Sequence, residues 1–197
     1  MSNSSQQDMT GQLVIISGPS GVGKSTICKK LVRRLDNVYL SVSTTTRPKK
    51  TGEKNGREYW FIGRDEFEKR IKAGEFLEYA EVFGNLYGTP KDKVLQALGQ
   101  GKTVLLEIDV HGAQQVKNLY PQARLIFILP PKQTELAKRI DGRGRDDQED
   151  IEKRLAGAGV EIAAGWQYYK DMVINDDLQQ AVQEIIEIIT KPVGEQE

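Results

Sequence analysis

With 197 residues, 38% of them hydrophobic, the chain is sized for one domain with a substantial core and room for small inserted lobes. Its 28 basic and 28 acidic residues cancel, which removes any global electrostatic case for a nucleic-acid or membrane-surface partner. No apolar run approaches the ~18 residues of a membrane span, no basic-then-apolar leader opens the chain, and the lone Cys28 has no partner for an internal disulfide, so a reducing, cytoplasmic setting is expected.

Residues Met1 to Thr10 are polar and patternless and read as a flexible tail. The apolar run Leu13–Ser17 then reads as a buried strand. It leads into GPSGVGKST, Gly18 to Thr26, which holds the pattern G-x-x-x-x-G-K-[ST] with Gly18, Gly23, Lys24 and Ser25 in the fixed places. Ile27, Leu31 and Leu35 recur at helical spacing after it. Strand, loop and helix are therefore in the order that a phosphate cradle needs. Its glycines let backbone N–H groups turn inward, and the helix N-terminus adds positive dipole. Gly18, Pro19, Ser20, Gly21, Val22, Gly23, Lys24, Ser25 and Thr26 are the expected triphosphate-binding residues. Lys24 reaches the β- and γ-phosphates, and the Ser25 hydroxyl takes a place on Mg²⁺.

Further strand-like runs follow at Tyr39–Ser43, Thr103–Ile108, Arg124–Leu129 and Met172–Ile174. Runs apolar on both sides suit a parallel sheet flanked by helices, an α/β fold. Between Ser43 and Tyr87 the pattern changes to short aromatic, alternating runs, Tyr59–Ile62 and Phe76–Phe83, around a short helix from Asp65 to Ala73 that stops at Gly74. Gly84-Asn85 marks a turn. This segment reads as a small antiparallel lobe inserted into the α/β core. Within it, Arg47, Lys50 and the Tyr59 hydroxyl can converge on a second phosphate, whereas Lys54 and Arg57 read as solvated.

Thr89 is expected to cap a helix whose first residue is Pro90 and whose stop is Gly101. Asp109 follows the strand Val-Leu-Leu-Glu-Ile at the sheet edge where ligands of open α/β folds gather. Lys138 to Arg154 is rich in arginine and holds Gly142 and Gly144, which suggests a mobile segment. On a continuing helix, Arg139 and Arg143 would share one face. Asp176 and Asp177 open a final helix whose apolar face is Leu178, Val182, Ile185, Ile186 and Ile189. The last residues, 191–197, form a second tail.

The segment SVSTTTRPKKTGEKNGREYWF, with GPSGVGKST before it and LYGTP, LEIDVHGA and RIDGRGR after it, closely resembles guanylate kinase over residues 11–190. The resemblance implies a P-loop NTPase core, a GMP-binding lobe at 43–89 and a helical lid at about 135–155. It implies transfer of the ATP γ-phosphoryl group to GMP, giving ADP and GDP, with Mg²⁺ as cofactor, dGMP as a second acceptor, and no nucleic-acid or membrane partner. Arg47, Tyr59 and Tyr87 match positions that hold the GMP phosphate, with Lys50 beside them. Ser43, Glu78, Thr89 and Asp109 match positions around guanine. The chemistry agrees, because guanine offers N1–H and a 2-amino group side by side and an ionised carboxylate accepts both. Arg143 and Arg154 match lid positions that close on the ATP phosphates, Arg139 joins them, and Asn175 falls near adenine. Lys24, Arg47 and the lid arginines supply charge, and the anionic acceptor oxygen needs no general base. Whether Asp109 or Glu107 assists Mg²⁺ stays open. Two positions depart from the family pattern, Lys50 in place of a second arginine and His111 in place of glutamine. The competing readings are a non-catalytic phosphopeptide-binding module on the same scaffold and a kinase for another small phosphorylated acceptor. Retention of Lys24, Ser25, Arg143 and Arg154 argues against the first, and Glu78 with Ser43 and Thr89 against the second.

Overall fold

A computed structural model describes residues 10–132, 135–136 and 148–191, the side chains of 148–154 excepted. Five parallel strands form the main sheet: β1 (Gln12–Ser17), β2 (Val38–Leu40), β7 (Thr103–Glu107), β8 (Arg124–Leu129) and β9 (Asp171–Ile174), in the order β2-β7-β1-β8-β9. Their side chains alternate between two cores. Val14, Ile16, Leu105, Ile126 and Ile128 face one side with Ile27 and Leu31 of α1 (Lys24–Arg34) and Val182 and Ile185 of α6 (Leu178–Thr190). Leu13, Ile15, Val104, Leu106 and Phe127 face the other, with Val94 and Leu98 of α3 (Lys91–Gly99) and Val110 and Val116 of α4 (Val110–Leu119). Strands buried on both faces explain the unbroken apolar runs. Cys28 is buried on α1, and burial pushes its thiol pKa up, so it is a packing residue.

The inserted lobe carries β3 (Thr44–Thr45), β4 (Trp60–Phe61), α2 (Arg64–Lys72), β5 (Phe76–Val82) and β6 (Asn85–Pro90), its sheet ordered β4-β3-β6-β5. It is mixed rather than purely antiparallel, because β3 pairs β4 in parallel across the long 46–59 connection. Phe67 of α2 stacks on Phe76 at 4.4 Å and seals the lobe's own small core. Gly88 permits this packing, since a Cβ there would stand 2.9 Å from the Phe76 ring.

Two helix ends refine the sequence reading. Pro90, not Thr89, is the N-cap of α3, and Thr89 lies in β6 with its hydroxyl turned to Glu78. A residue in a ladder opposite a buried carboxylate is held by that carboxylate, so its hydroxyl is not available to the helix. At the other end Gly101, at φ 72°, closes α3 with bonds from Gly101 N–H to Leu98 and from Lys102 N–H to Ala97. Asp177 caps α6 as expected, accepting from Gln179 and Gln180 N–H at 2.8 Å. A long helix, α5 (Gln148–Tyr168), returns the chain to the sheet, where Gly165 lies so close to Phe127 that a Cβ would meet the ring at 2.7 Å.

Candidate active site

The loop between β1 and α1 is shaped by backbone conformation. Gly18, Gly21 and Gly23 have φ of 147°, 84° and 107°. At Gly18 and Gly23 space is also closed: a Cβ would meet the Ile128 carbonyl at 2.4 Å and Asn175 Nδ2 at 2.6 Å. Asn175, buried just past β9, donates Nδ2 to the Val22 carbonyl at 2.8 Å. Its role visible here is to hold the loop, a tertiary contact that no local motif announces. Lys24 Nζ donates to the carbonyls of Gly18 and, at 3.2 Å, Pro19. The ammonium thus sits inside the cradle, and α1 begins without a side-chain cap, leaving its first N–H groups for an anion.

Glu107 ends β7 beside Ile16 of β1 and accepts from the Ser25 hydroxyl at 2.6 Å. Two residues on, Asp109 caps α4 by accepting from Gly112 N–H at 2.8 Å. Both carboxylates therefore stand at the carboxyl edge of the sheet next to the loop. Glu161 of α5 joins them from across the loop. Burial raises its carboxyl pKa, Asp109 adds to the rise, and Lys24, the Ser20 N–H and His111 pull it back. The sequence offered no signal for Glu161, which lies mid-helix far from any motif.

The lobe supplies a second constellation. Arg47 Nη2 binds Glu53 Oε1 at 2.8 Å, Nη1 donates to the Pro48 carbonyl at 2.8 Å, and the guanidinium lies 5.5 Å from the Tyr59 ring centre. Tyr59 and Tyr87 meet edge to face at 5.7 Å. Glu53 Oε2 also accepts the Lys50 N–H at 2.7 Å, so one carboxylate ties Arg47 and Lys50 into a single loop. Burial opposes ionisation of Glu53, but these bonds and the charges of Arg47 and Lys50 outweigh it and hold its pKa below the usual range. Burial, with Glu107 and Tyr87 adding negative charge, raises the Tyr59 phenol pKa. Tyr59 of the Arg47 cluster therefore lies within electrostatic reach of Glu107, the partner of Ser25. Lys54 and Arg57 are surface residues, Arg57 pairing with Glu58 at 2.6 Å.

Deeper in the lobe, Glu78 is only 5% exposed. Its Oε1 accepts the Thr89 hydroxyl at 2.6 Å, across a rung of the β5–β6 ladder. Oε2 rests against Gly112 of α4, where a Cβ would intrude at 2.5 Å. Burial pushes the Glu78 pKa up to about 7, with Thr89 opposing and Asp109 assisting. Gln115 of α4 clamps the lobe edge, its amide bonding the Tyr79 carbonyl at 2.9 Å. Ser43 is half-buried before β3, its carbonyl accepting from Trp60 N–H at 2.9 Å. Arg139 and Arg143 lie outside the described residues, and Arg154 is placed in α5 by its backbone alone.

A parallel sheet whose first strand runs into a glycine-lined loop bearing an inward lysine, with an inserted lobe that carries a cationic cluster and a buried carboxylate, defines a P-loop nucleotide-binding protein. Residues 10–192 match the family model described as guanylate kinase. The chain is 48% identical to a guanylate kinase of Carboxydothermus hydrogenoformans over 180 residues, 91% of this chain and 88% of that protein. It is 45% identical to one of Synechocystis sp. over 98% of both chains. The crystal structure of guanylate kinase from Anaplasma phagocytophilum superimposes with a TM-score of 0.76 at 34% identity, covering 91% of this chain and 84% of that one. This chain belongs to the guanylate kinase family.

Proposed function

We propose that the two constellations are the donor and acceptor sites of an enzyme that transfers the γ-phosphoryl group of ATP to GMP, giving ADP and GDP. The observation that carries this reading is the buried pair Glu78–Thr89, with Glu78 Oε2 against Gly112 of the helix that Asp109 caps, two residues after the Glu107 that meets Ser25 of the loop. In its ionised form, Glu78 accepts N1–H and the 2-amino group of guanine, while adenine would present an acceptor and an empty position. Ser43 and Asp109 complete the base pocket. Arg47, Tyr59, Tyr87 and Lys50 hold the acceptor phosphate, and residues 43–89 form the acceptor lobe.

On the donor side, the loop Gly18–Thr26 cradles the triphosphate, and Lys24 leaves its two carbonyls to meet the β- and γ-phosphates. Asn175 keeps the loop shaped. Arg139, Arg143 and Arg154 of the lid segment at about 135–155 neutralise the migrating group. The Ser25 hydroxyl and Glu107 carboxylate, 2.6 Å apart at the head of α1, are hard oxygen donors that fit Mg²⁺. Magnesium held by them would offset the negative charge of the ATP phosphates. The acceptor oxygen is already anionic, so no side chain removes a proton from it. Catalysis rests on aligning two anions and cancelling their repulsion. No helix among the described residues is long and apolar enough to cross a membrane, and the cytoplasm is the proposed compartment.

Coupled ADP-release assays with Mg·ATP against GMP, dGMP, AMP, CMP and UMP test the reading. GMP is expected to be the best acceptor, with dGMP next. Equal turnover of AMP and GMP would remove the base assignment, and no turnover of any acceptor would remove the catalytic one.

A further inference from the structure

Gly112 is buried in the first turn of α4, and it is not among the glycines of positive φ. Helix propensity at such a position favours alanine over glycine. The next residue, Ala113, is an alanine buried in the main core. What excludes a side chain at 112 is therefore space alone. A Cβ there would meet Glu78 Oε2 at 2.5 Å and Cδ at 3.0 Å. The Glu78 carboxylate fills the place that a methyl group would take.

That carboxylate is held from two further directions. Its Oε1 accepts the hydroxyl of the fully buried Thr89 at 2.6 Å. The backbone that carries it is paired along the β5–β6 ladder, Glu78 with Thr89 and Tyr79 with Gly88. On the same face of α4, three positions after Gly112, Gln115 Nε2 donates to the Tyr79 carbonyl at 2.9 Å, and its Oε1 accepts the Tyr79 N–H at 3.4 Å. One helix thus fixes the strand at Gln115 and the depth of the carboxylate at Gly112. A side chain at 112 would turn the carboxylate about its Thr89 bond, carrying Oε2 further than Oε1.

We propose that Gly112 is a positioning residue that determines base specificity: by having no side chain, it keeps both oxygens of Glu78 in line with the N1–H and 2-amino group of guanine. The proposal rests on the base-pocket assignment above. Adenine is refused by a carboxylate at any depth, because its N1 is an acceptor. Hypoxanthine is the discriminating case. It keeps N1–H and lacks the 2-amino group, so it occupies one acceptor where guanine occupies two. A single oxygen in place serves both bases alike. Two oxygens in line favour guanine, since hypoxanthine leaves the second unmet.

The test is the ratio of kcat/KM for GMP to that for IMP, with Mg·ATP, combined with thermal melts. Gly112→Ala is expected to lower the ratio by about tenfold, through the KM for GMP, with kcat at saturating GMP within about twofold and the KM for ATP unchanged. Its melting temperature is expected to fall by about 2–4 °C. Glu78→Asp, one methylene shorter, vacates the space beside Gly112. In that background Gly112→Ala is expected to leave the melting temperature unchanged or raise it, because alanine suits the helix once nothing opposes its methyl group. An unchanged ratio in folded Gly112→Ala overturns the proposal, as does an equal fall in melting temperature with and without Glu78→Asp. Unmodified protein that takes GMP and IMP alike, or neither, removes the base or catalytic assignment itself, a failure visible before any variant is made.

Discussion

The phosphate loop and the inserted lobe, the two sites proposed to take phosphate, are built by opposite means. The loop is shaped by its backbone, with Gly18, Gly21 and Gly23 at positive φ, and only Lys24 and Ser25 bring side-chain groups to it at fixed positions. The proposed acceptor site is built from side chains gathered over more than sixty residues, from Ser43 of the lobe to Asp109 at the edge of the main sheet, and placed by strand pairing and by α4. A backbone site cannot be edited one contact at a time and reads phosphate rather than base. A side-chain site can choose a base, and it carries electrostatic tension, since Glu78 is buried with its pKa raised to about 7.

The largest effect is expected where the backbone site depends on its one charge. Lys24→Ala should lower kcat by ~10²-fold or more, the scale of a lost electrostatic contact to the migrating group. Far-ultraviolet dichroism should be unchanged, because α1 and its core contacts remain. A folded variant with near-normal kcat would mean that the loop acts through backbone alone.

Glu78→Gln probes the opposite case. One amide oxygen replaces two carboxylate acceptors, and an unmet polar group in a closed site costs about 1–3 kcal/mol. The kcat/KM for GMP should fall by about 10- to 100-fold with the KM for ATP little changed. Under the proposed assignment the carboxylate form takes guanine, so the KM for GMP in the unmodified protein should drop as pH rises toward 7, by up to about tenfold per pH unit, and level off above. The GMP phosphate also titrates near pH 6 (about), so the part of the slope absent from Glu78→Gln is the part due to Glu78. The same group bears on stability. Its pKa is higher folded, about 7, than the ordinary 4.5, so its contribution is fully present below pH 4.5 and lost as pH rises through 7. Thermal melts should show Glu78→Gln gaining on the unmodified protein across that window, by about 3 kcal/mol at most.

Smaller changes are expected around Arg47. Glu53→Gln keeps the shape but removes the charge that orients Arg47 and receives the Lys50 N–H. A several-fold rise in the KM for GMP is expected, with the KM for ATP unaffected; a change in both would show that the 47–53 loop serves the two sites together. Lys50 should give the smallest effect. Lys50→Ala should raise the KM for GMP modestly, and Lys50→Arg should lower it slightly because a guanidinium grips phosphate in two places. Unchanged GMP saturation in Lys50→Ala at low and moderate salt would assign the acceptor phosphate to Arg47 and the tyrosines.

The sequence by itself determined the parts that are local. The strand, loop and helix around Gly18–Thr26 and the parallel sheet follow from contiguous patterns, because backbone conformation and periodic burial are written in neighbouring residues. Glu78 and Arg47 were legible as candidates, since guanine and phosphate demand those residue types. Only the tertiary structure decided what surrounds them. It turned Thr89 from a helix cap into the partner of Glu78, gave Asp109 a helix to cap, and made Asn175 a brace for the phosphate loop. It brought Glu53 onto Arg47 and Glu161 within electrostatic reach of Lys24, and made the β3–β4 pairing parallel. Those roles depend on which surfaces meet after the sheet forms, and burial and partner charges arise only at that meeting.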